Sequence, residues 1–202
     1  MKGVIKKDLY MIANYCKSYL LFFVVFLIIP ILSEGSAFLS AYLFLIPSMA
    51  IITVISYDEK NNWETYFEQL PISVKDTVSA KYIIGGTFII AILLLYSVFA
   101  YIRFGSSFIE TIMSMSIPAT ISFAMTMPCY FRYGNHVGRI AYYISLGGIA
   151  AIAAQFQASL LNTTTLALVK YSNVLALIGI GLFVASYFIS IYSYKIRLKK
   201  LR

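Results

Sequence analysis

The chain has 202 residues, a formal net charge of +8, 60% hydrophobic residues and only 12% charged residues. Soluble domains carry about 25% charged residues, so this composition excludes a water-soluble fold around one buried core. A mean hydropathy of +0.82, concentrated in long uncharged runs, predicts an all-α polytopic membrane protein with about six spans of roughly 20 residues each.

Residues 1–17 read as an amphipathic lead-in helix. Ile5, Leu9, Ile12, Cys16 and Tyr19 recur at helical spacing, while Lys2, Lys6 and Lys7 are polar, a pattern suited to the headgroup layer. The apolar run that follows exceeds the core of a cleaved signal, and Ser33-Glu34-Gly35 makes a weak cleavage site. It is therefore read as span one, over 18–32. Span two covers 37–56, span three 82–102 and span four 111–130. Pro118 and Pro128 are expected to kink or break span four. Span five starts near 140, and span six covers 172–194. A basic tail, 195–202, ends the chain. The whole length, 1–202, reads as one transmembrane domain.

Lysine and arginine set the orientation of such a chain. With both termini cytoplasmic, fourteen of the sixteen basic residues lie inside, and only Arg103 and Lys170 lie outside. The reverse orientation puts fourteen outside. The expectation is a multi-pass plasma-membrane protein whose polar stretch 57–81, turn around 132–139 and basic tail all face the cytoplasm. Anionic headgroups account for the basic ends, so membrane lipids are expected partners and no nucleic acid is invoked.

The polar stretch holds five of the eight acidic residues, Asp58, Glu59, Glu64, Glu68 and Asp76, and the only tryptophan, Trp63. Carboxylates are costly in hydrocarbon, so it must lie outside it. On a helix, Trp63, Tyr66, Phe67 and Leu70 share one face, with Glu64 and Glu68 elsewhere. Asp58 and Glu59 would suit the positive end of that helix. Pro71 stops it, and Ser73 to Asp76 can cap a second helix entering span three. Two short helices with a corner at Pro71 are expected. The aromatic stripe either docks a cytoplasmic partner or lies against the membrane surface and the chain's own spans.

Other features are read as structural. Gly85-Gly86 and Gly147-Gly148 are expected to be close-packing points between helices. Cys16 and Cys129 lie far apart, and neither is in a CxxC, so no disulfide or metal site follows. His136 has no ligand-spaced companion. No span interior carries an Asp, Glu, Lys, Arg or His, which disfavours an intramembrane enzyme. No Gly-rich GxxxxGK[ST] loop is present to cradle a nucleotide.

Tyr57-Asp58-Glu59-Lys60-Asn61-Asn62-Trp63, then Leu70-Pro71-Ile72-Ser73, Asp76 and Ala80-Lys81-Tyr82, resembles the first cytoplasmic loop of small bacterial type-2 ABC exporter permeases. The nearest likeness is the branch that includes the phenol-soluble-modulin exporter permeases. Met127-Pro128-Cys129-Tyr130-Phe131-Arg132-Tyr133-Gly134, with Gly138-Arg139, is similar to the cytoplasmic end of their fourth span, and Ile5-Lys6-Lys7-Asp8-Leu9 fits their opening. The resemblance implies a permease subunit in the bacterial plasma membrane with no nucleotide site and no cofactor of its own. ATP would be bound by separate cytoplasmic ABC ATPase subunits, and the loop between spans two and three would be the coupling helix. Trp63, Tyr66, Phe67, Leu70, Glu64, Glu68 and Pro71 would form the ATPase-docking segment, and Arg132, Tyr133, Gly134 and Arg139 the second cytoplasmic loop. Six spans are few for a translocation path, so a second permease chain is expected, in a homo- or heterodimer. Uncharged, aromatic-rich walls suit an amphipathic peptide or another hydrophobic substrate. The other expectation to be tested is a non-transporting membrane immunity or scaffold protein.

Overall fold

The computed structural model describes residues 2–15, 45–63, 66, 73–104, 108–159 and 172–201, with isolated positions 21, 24, 25 and 28. Six helices occupy these residues: α1 (Lys2–Tyr15), α2 (Ile46–Lys60), α3 (Val74–Phe104), α4 (Phe108–Tyr133), α5 (Asn135–Ser159) and α6 (Ser172–Leu201). Val74–Phe99 and Ala176–Lys199 are long and apolar enough to cross a membrane. Span one and the first part of span two fall outside the described residues, apart from those isolated helical positions.

The core is aromatic and β-branched. Ile51 and Ile55 of α2, Val78 and Tyr82 of α3, Phe123 and Tyr130 of α4, and Tyr194 of α6 belong to one buried cluster. Gly85 makes the α3–α4 approach possible: a Cβ there would fall 2.2 Å from a ring atom of Phe123. That agrees with the expected packing role. Gly147 and Gly148 do not share it. Both are exposed on α5, and a Cβ on either would meet nothing within 4 Å in this chain.

α4 runs as one helix through Pro118 and Pro128, so neither proline breaks it. A proline lacks the N–H that would bond the carbonyl four residues back. Pro128 thereby frees the Ala124 carbonyl, and Ser186 Oγ of α6 donates to it at 3.0 Å. A neighbouring helix has replaced the lost bond, which is how proline is tolerated in an apolar setting.

The expected turn around 132–139 contracts to one residue. Gly134 has φ +87°, and its N–H bonds to the Tyr130 carbonyl at 2.8 Å. This left-handed position favours glycine. α5 then starts at Asn135, packed so close to α4 that a Cβ on Gly138 would lie 3.0 Å from Tyr130 Cβ.

The polar stretch departs from expectation at its start, where a turn at 61–62 follows α2, and agrees at its end, where a helix enters span three. α2 continues to Lys60 and α3 begins at Val74, with Ser73 Oγ accepting the Asp76 N–H at 3.1 Å as a helix cap. Asp58 and Glu59 therefore sit in the last turn of α2. Its dipole is negative there, the reverse of the expected placement, so both carboxylates need cations. In α1 the buried positions are Val4 and Asp8, with Ile12 packed against the core, while Leu9 is 47% exposed. The inner face thus takes Val4, Ile5 and Ile12, with an aspartate at its centre where Leu9 was expected.

Candidate functional site

Asp58 and Glu59 branch in different directions. Asp58 Oδ1 accepts from Lys7 Nζ of α1 at 2.5 Å, and its Oδ2 accepts from Lys81 Nζ of α3 at 2.7 Å. Lys81 also lies 2.9 Å from Asp8 Oδ1, and Lys7 lies 3.2 Å from the same oxygen. These two are ion contacts outside hydrogen-bond geometry, and Asp8 Oδ2 has no hydrogen-bond partner among the described residues. Lys81 is 2% exposed and Asp8 0%. Two cations and two anions balance in a nearly dry setting, which is the condition for tolerating buried charge. The three helices α1, α2 and α3 meet through this cluster.

Glu59 holds the other side. Its Oε1 accepts from Arg197 Nη2 of α6 at 3.1 Å, and its Oε2 accepts the Asn135 N–H at 3.2 Å. A carboxylate at the first amides of α5 complements that helix's positive end. Beside it, Asn135 Nδ2 and Arg139 Nη2 both donate to Ser56 Oγ, at 2.7 and 2.8 Å. Asp58 thus ties α2 to α1 and α3, while Glu59 ties it to α5 and α6.

Asn62 redirects the chain after α2. It is the one non-glycine residue at positive φ among the described residues, at +52°, a conformation asparagine tolerates better than most. The turn brings Trp63 back to the bundle, its ring 4.0 Å from Lys7 Nζ in a cation–π contact. A cavity of about 20 Å³ lies here, lined in part by Asp58, Trp63, Thr77 and Lys81. Trp63 Nε1 and Thr77 Oγ1 are buried without a hydrogen-bond partner among the described residues. With Asp8, this root of the polar segment leaves the charged cluster incompletely hydrogen-bonded.

Next to Lys81 in the chain, Tyr82 forms a seam across three helices. Its ring is edge-on to Phe123, Phe183 and Tyr187 at 5.3 to 5.4 Å. Its hydroxyl lies 2.6 Å from Ser186 Oγ and 2.8 Å from Ser190 Oγ. Ser186 has one hydroxyl proton and gives it to the Ala124 carbonyl, so it accepts from Tyr82. Tyr82 in turn accepts from Ser190. The bonds run in one direction, from Ser190 of α6 to Tyr82 of α3, back to Ser186 of α6 and on to the Ala124 carbonyl of α4.

A family model described as ABC-2 family transporter protein matches residues 3–195. The chain belongs to this family. No curated protein and no solved structure matches it. Members are membrane components of ABC transporters, so the chain is a permease component and is not itself catalytic. Membership implies association with ABC ATPase subunits. The interlocking charges described above are therefore the cross-links of a permease, with no catalytic task.

The residues singled out for docking fall in different settings. Trp63 is half-buried beneath Lys7, whereas Tyr66 is 60% exposed. Glu64, Phe67, Glu68, Leu70 and Pro71 lie outside the described residues. In the second region Arg132 stacks on Tyr133 at 5.3 Å, and Tyr133 is 61% exposed. A Cβ on Gly134 would lie 3.1 Å from Glu59 Oε1, and Arg139 reaches Ser56. The permease thus brings its two predicted cytoplasmic regions to one end of the bundle, joined through Ser56 and Glu59. Sequence reasoning did not pair Asp8, Lys81 and Arg197 with Lys7, Asp58 and Glu59. A charge placed in the middle of a helix's buried stripe was the available signal for Asp8.

Proposed function

We propose that this permease is the membrane-spanning subunit of a bacterial ABC exporter. It forms a translocation path with a second permease chain, identical or not, and is driven by separate ATPase subunits that hold the ATP. Both termini face the cytoplasm of a multi-pass plasma-membrane protein, and the substrate is an amphipathic peptide or another hydrophobic compound. The ATPase docks at the end of the bundle that carries Asp58 and Glu59. The observation that carries this reading is the family match over 3–195, joined to the exposed Tyr66 and Tyr133 at that end.

On this reading Trp63 is the inner anchor of the docking segment and Tyr66, Phe67 and Leu70 are its outer face. Glu64 and Glu68 form a rim, and the Pro71 corner ends the segment. Movement of the ATPase pair pulls on this segment. The pull passes through Trp63 and Lys7 to α1, and through Asp58 and Lys81 to α3. The buried ion pairs make this a stiff link, able to carry the pull to α1 and α3. Arg132, Tyr133, Gly134 and Arg139 form the second contact, stiffened by the one-residue corner.

The test is co-purification of the cognate ATPase with Tyr66→Ala/Phe67→Ala, beside an ATP-dependent transport assay. Interface aromatics often contribute 2 kcal/mol or more, so roughly 30-fold weaker association is expected, with membrane insertion unchanged. Unchanged binding and transport would overturn the docking assignment. A wild-type chain that captures no ATPase and supports no transport would instead be the immunity or scaffold protein.

A further inference from the structure

A second feature lies away from the charged cluster, on the outer face of α3 and α6. A groove of about 310 Å³ is lined by Lys75, Tyr187, Phe188, Ile191, Tyr192 and Lys195. Lys75 is in the first turn of α3, and Lys195 is near the end of α6; both are exposed. Neither forms an ion pair among the described residues, where the other cations in the described cross-links, Lys7, Lys81 and Arg197, do. The groove's wall is fixed by Tyr187, whose hydroxyl hydrogen-bonds with Ser79 Oγ at 2.8 Å.

We propose that this groove is a binding site for the headgroup of an anionic phospholipid. Phe188, Tyr192, Lys195 and Lys199 fall at i, i+4, i+7 and i+11 on α6 and are all exposed. One face of the helix therefore grades from aromatic to basic toward its end. Aromatic side chains favour the boundary between hydrocarbon and headgroups, and lysines favour the anionic headgroup layer. α3 and α6 have 31 and 30 residues, or about 45 Å each at 1.5 Å per residue. That exceeds a hydrocarbon core of about 30 Å, so the basic ends reach headgroup level. A lipid phosphate bridges the two lysines while its acyl chains lie along Phe188 and Val184, which is 49% exposed. A soluble acidic peptide would match the lysines but not the apolar wall that continues down α6. Asp76, next to Lys75 in the chain, is not part of the groove lining.

Native mass spectrometry of the full-length purified chain tests this, with dioleoyl phosphatidylglycerol titrated against dioleoyl phosphatidylcholine. Two lysines near a membrane surface give an expected preference of roughly ten- to thirty-fold for the anionic lipid. Lys75→Gln/Lys195→Gln should abolish most of that preference, and Lys75→Arg/Lys195→Arg should keep it. Lys60→Gln removes a charge from an exposed site at the end of α2, outside the groove, and should leave it intact. Equal binding of the two lipids by the wild type would overturn the proposal. So would a preference that survives Lys75→Gln/Lys195→Gln, or one that falls equally in the Lys60→Gln control.

Discussion

Asp58 and Glu59 share the last turn of α2, yet their surroundings differ. The Asp58 side chain is 11% exposed and shares Lys81, itself 2% exposed, with the fully buried Asp8. The Glu59 side chain is 37% exposed and meets Arg197 and a backbone amide. A buried pair loses its compensation when one member is removed, whereas a solvated pair is replaced by water. The same residue chemistry therefore sets a rigid joint on one side of α2 and a compliant one on the other. α1 and α3 are locked to α2 by charge, while α5 and α6 are held there by weaker contacts and by their packing.

The largest expected effect breaks the buried side. Lys81→Met leaves Asp8 and Asp58 facing only Lys7, and about 3–5 kcal/mol of stability should be lost. The measure is thermal unfolding in detergent. Asp8→Asn in the same chain should recover part of the loss, because one uncompensated anion is removed. A midpoint within a degree of wild type for Lys81→Met would show that the cluster carries no strain-bearing charge.

A smaller effect is expected at the Tyr82 seam. Ser186→Ala withdraws the hydroxyl that donates to the Ala124 carbonyl and should cost about 1–3 kcal/mol. In a Pro128→Ala background the restored N–H supplies that bond, so the same substitution should cost less. Equal costs in both backgrounds would separate the serine from the proline. The smallest effect belongs to the compliant side. Arg197→Ala should cost roughly 0.2–1 kcal/mol, because Glu59 is more than a third exposed. A loss as large as that of Lys81→Met would erase the contrast between the two neighbours.

Much of the fold was legible because long apolar runs dictate helices. A fourth and a fifth helix and the packing role of Gly85 follow from local composition, although the expected turn over 132–139 shrinks to Gly134. The charged cluster was not legible in the same way. Lys7 and Asp58 are 51 positions apart and Glu59 and Arg197 are 138 apart, so their pairing depends on how five helices assemble. Lys81 read as a loop residue because its cost in an apolar setting is visible in the sequence, whereas its two partners are not. Of the expected stripe of Trp63, Tyr66, Phe67 and Leu70, only Trp63 and Tyr66 fall among the described residues. The left-handed Asn62 resets the chain immediately before Trp63, and the tryptophan turns inward while Tyr66 stays exposed. Gly147 and Gly148 show the converse: glycine pairs are small-residue signals whether or not a neighbour from the same chain fills the space.

The central claim is that an ATPase docks on the end of the bundle bearing Asp58 and Glu59. Photo-crosslinking in native membranes addresses it directly, with a photoreactive phenylalanine placed in turn at Tyr66, Tyr133 and Leu94, all exposed and the last midway along α3. The account predicts ATPase adducts at Tyr66 and Tyr133 and none at Leu94. No ATPase adduct at either tyrosine, or equal adducts at all three positions, would contradict it.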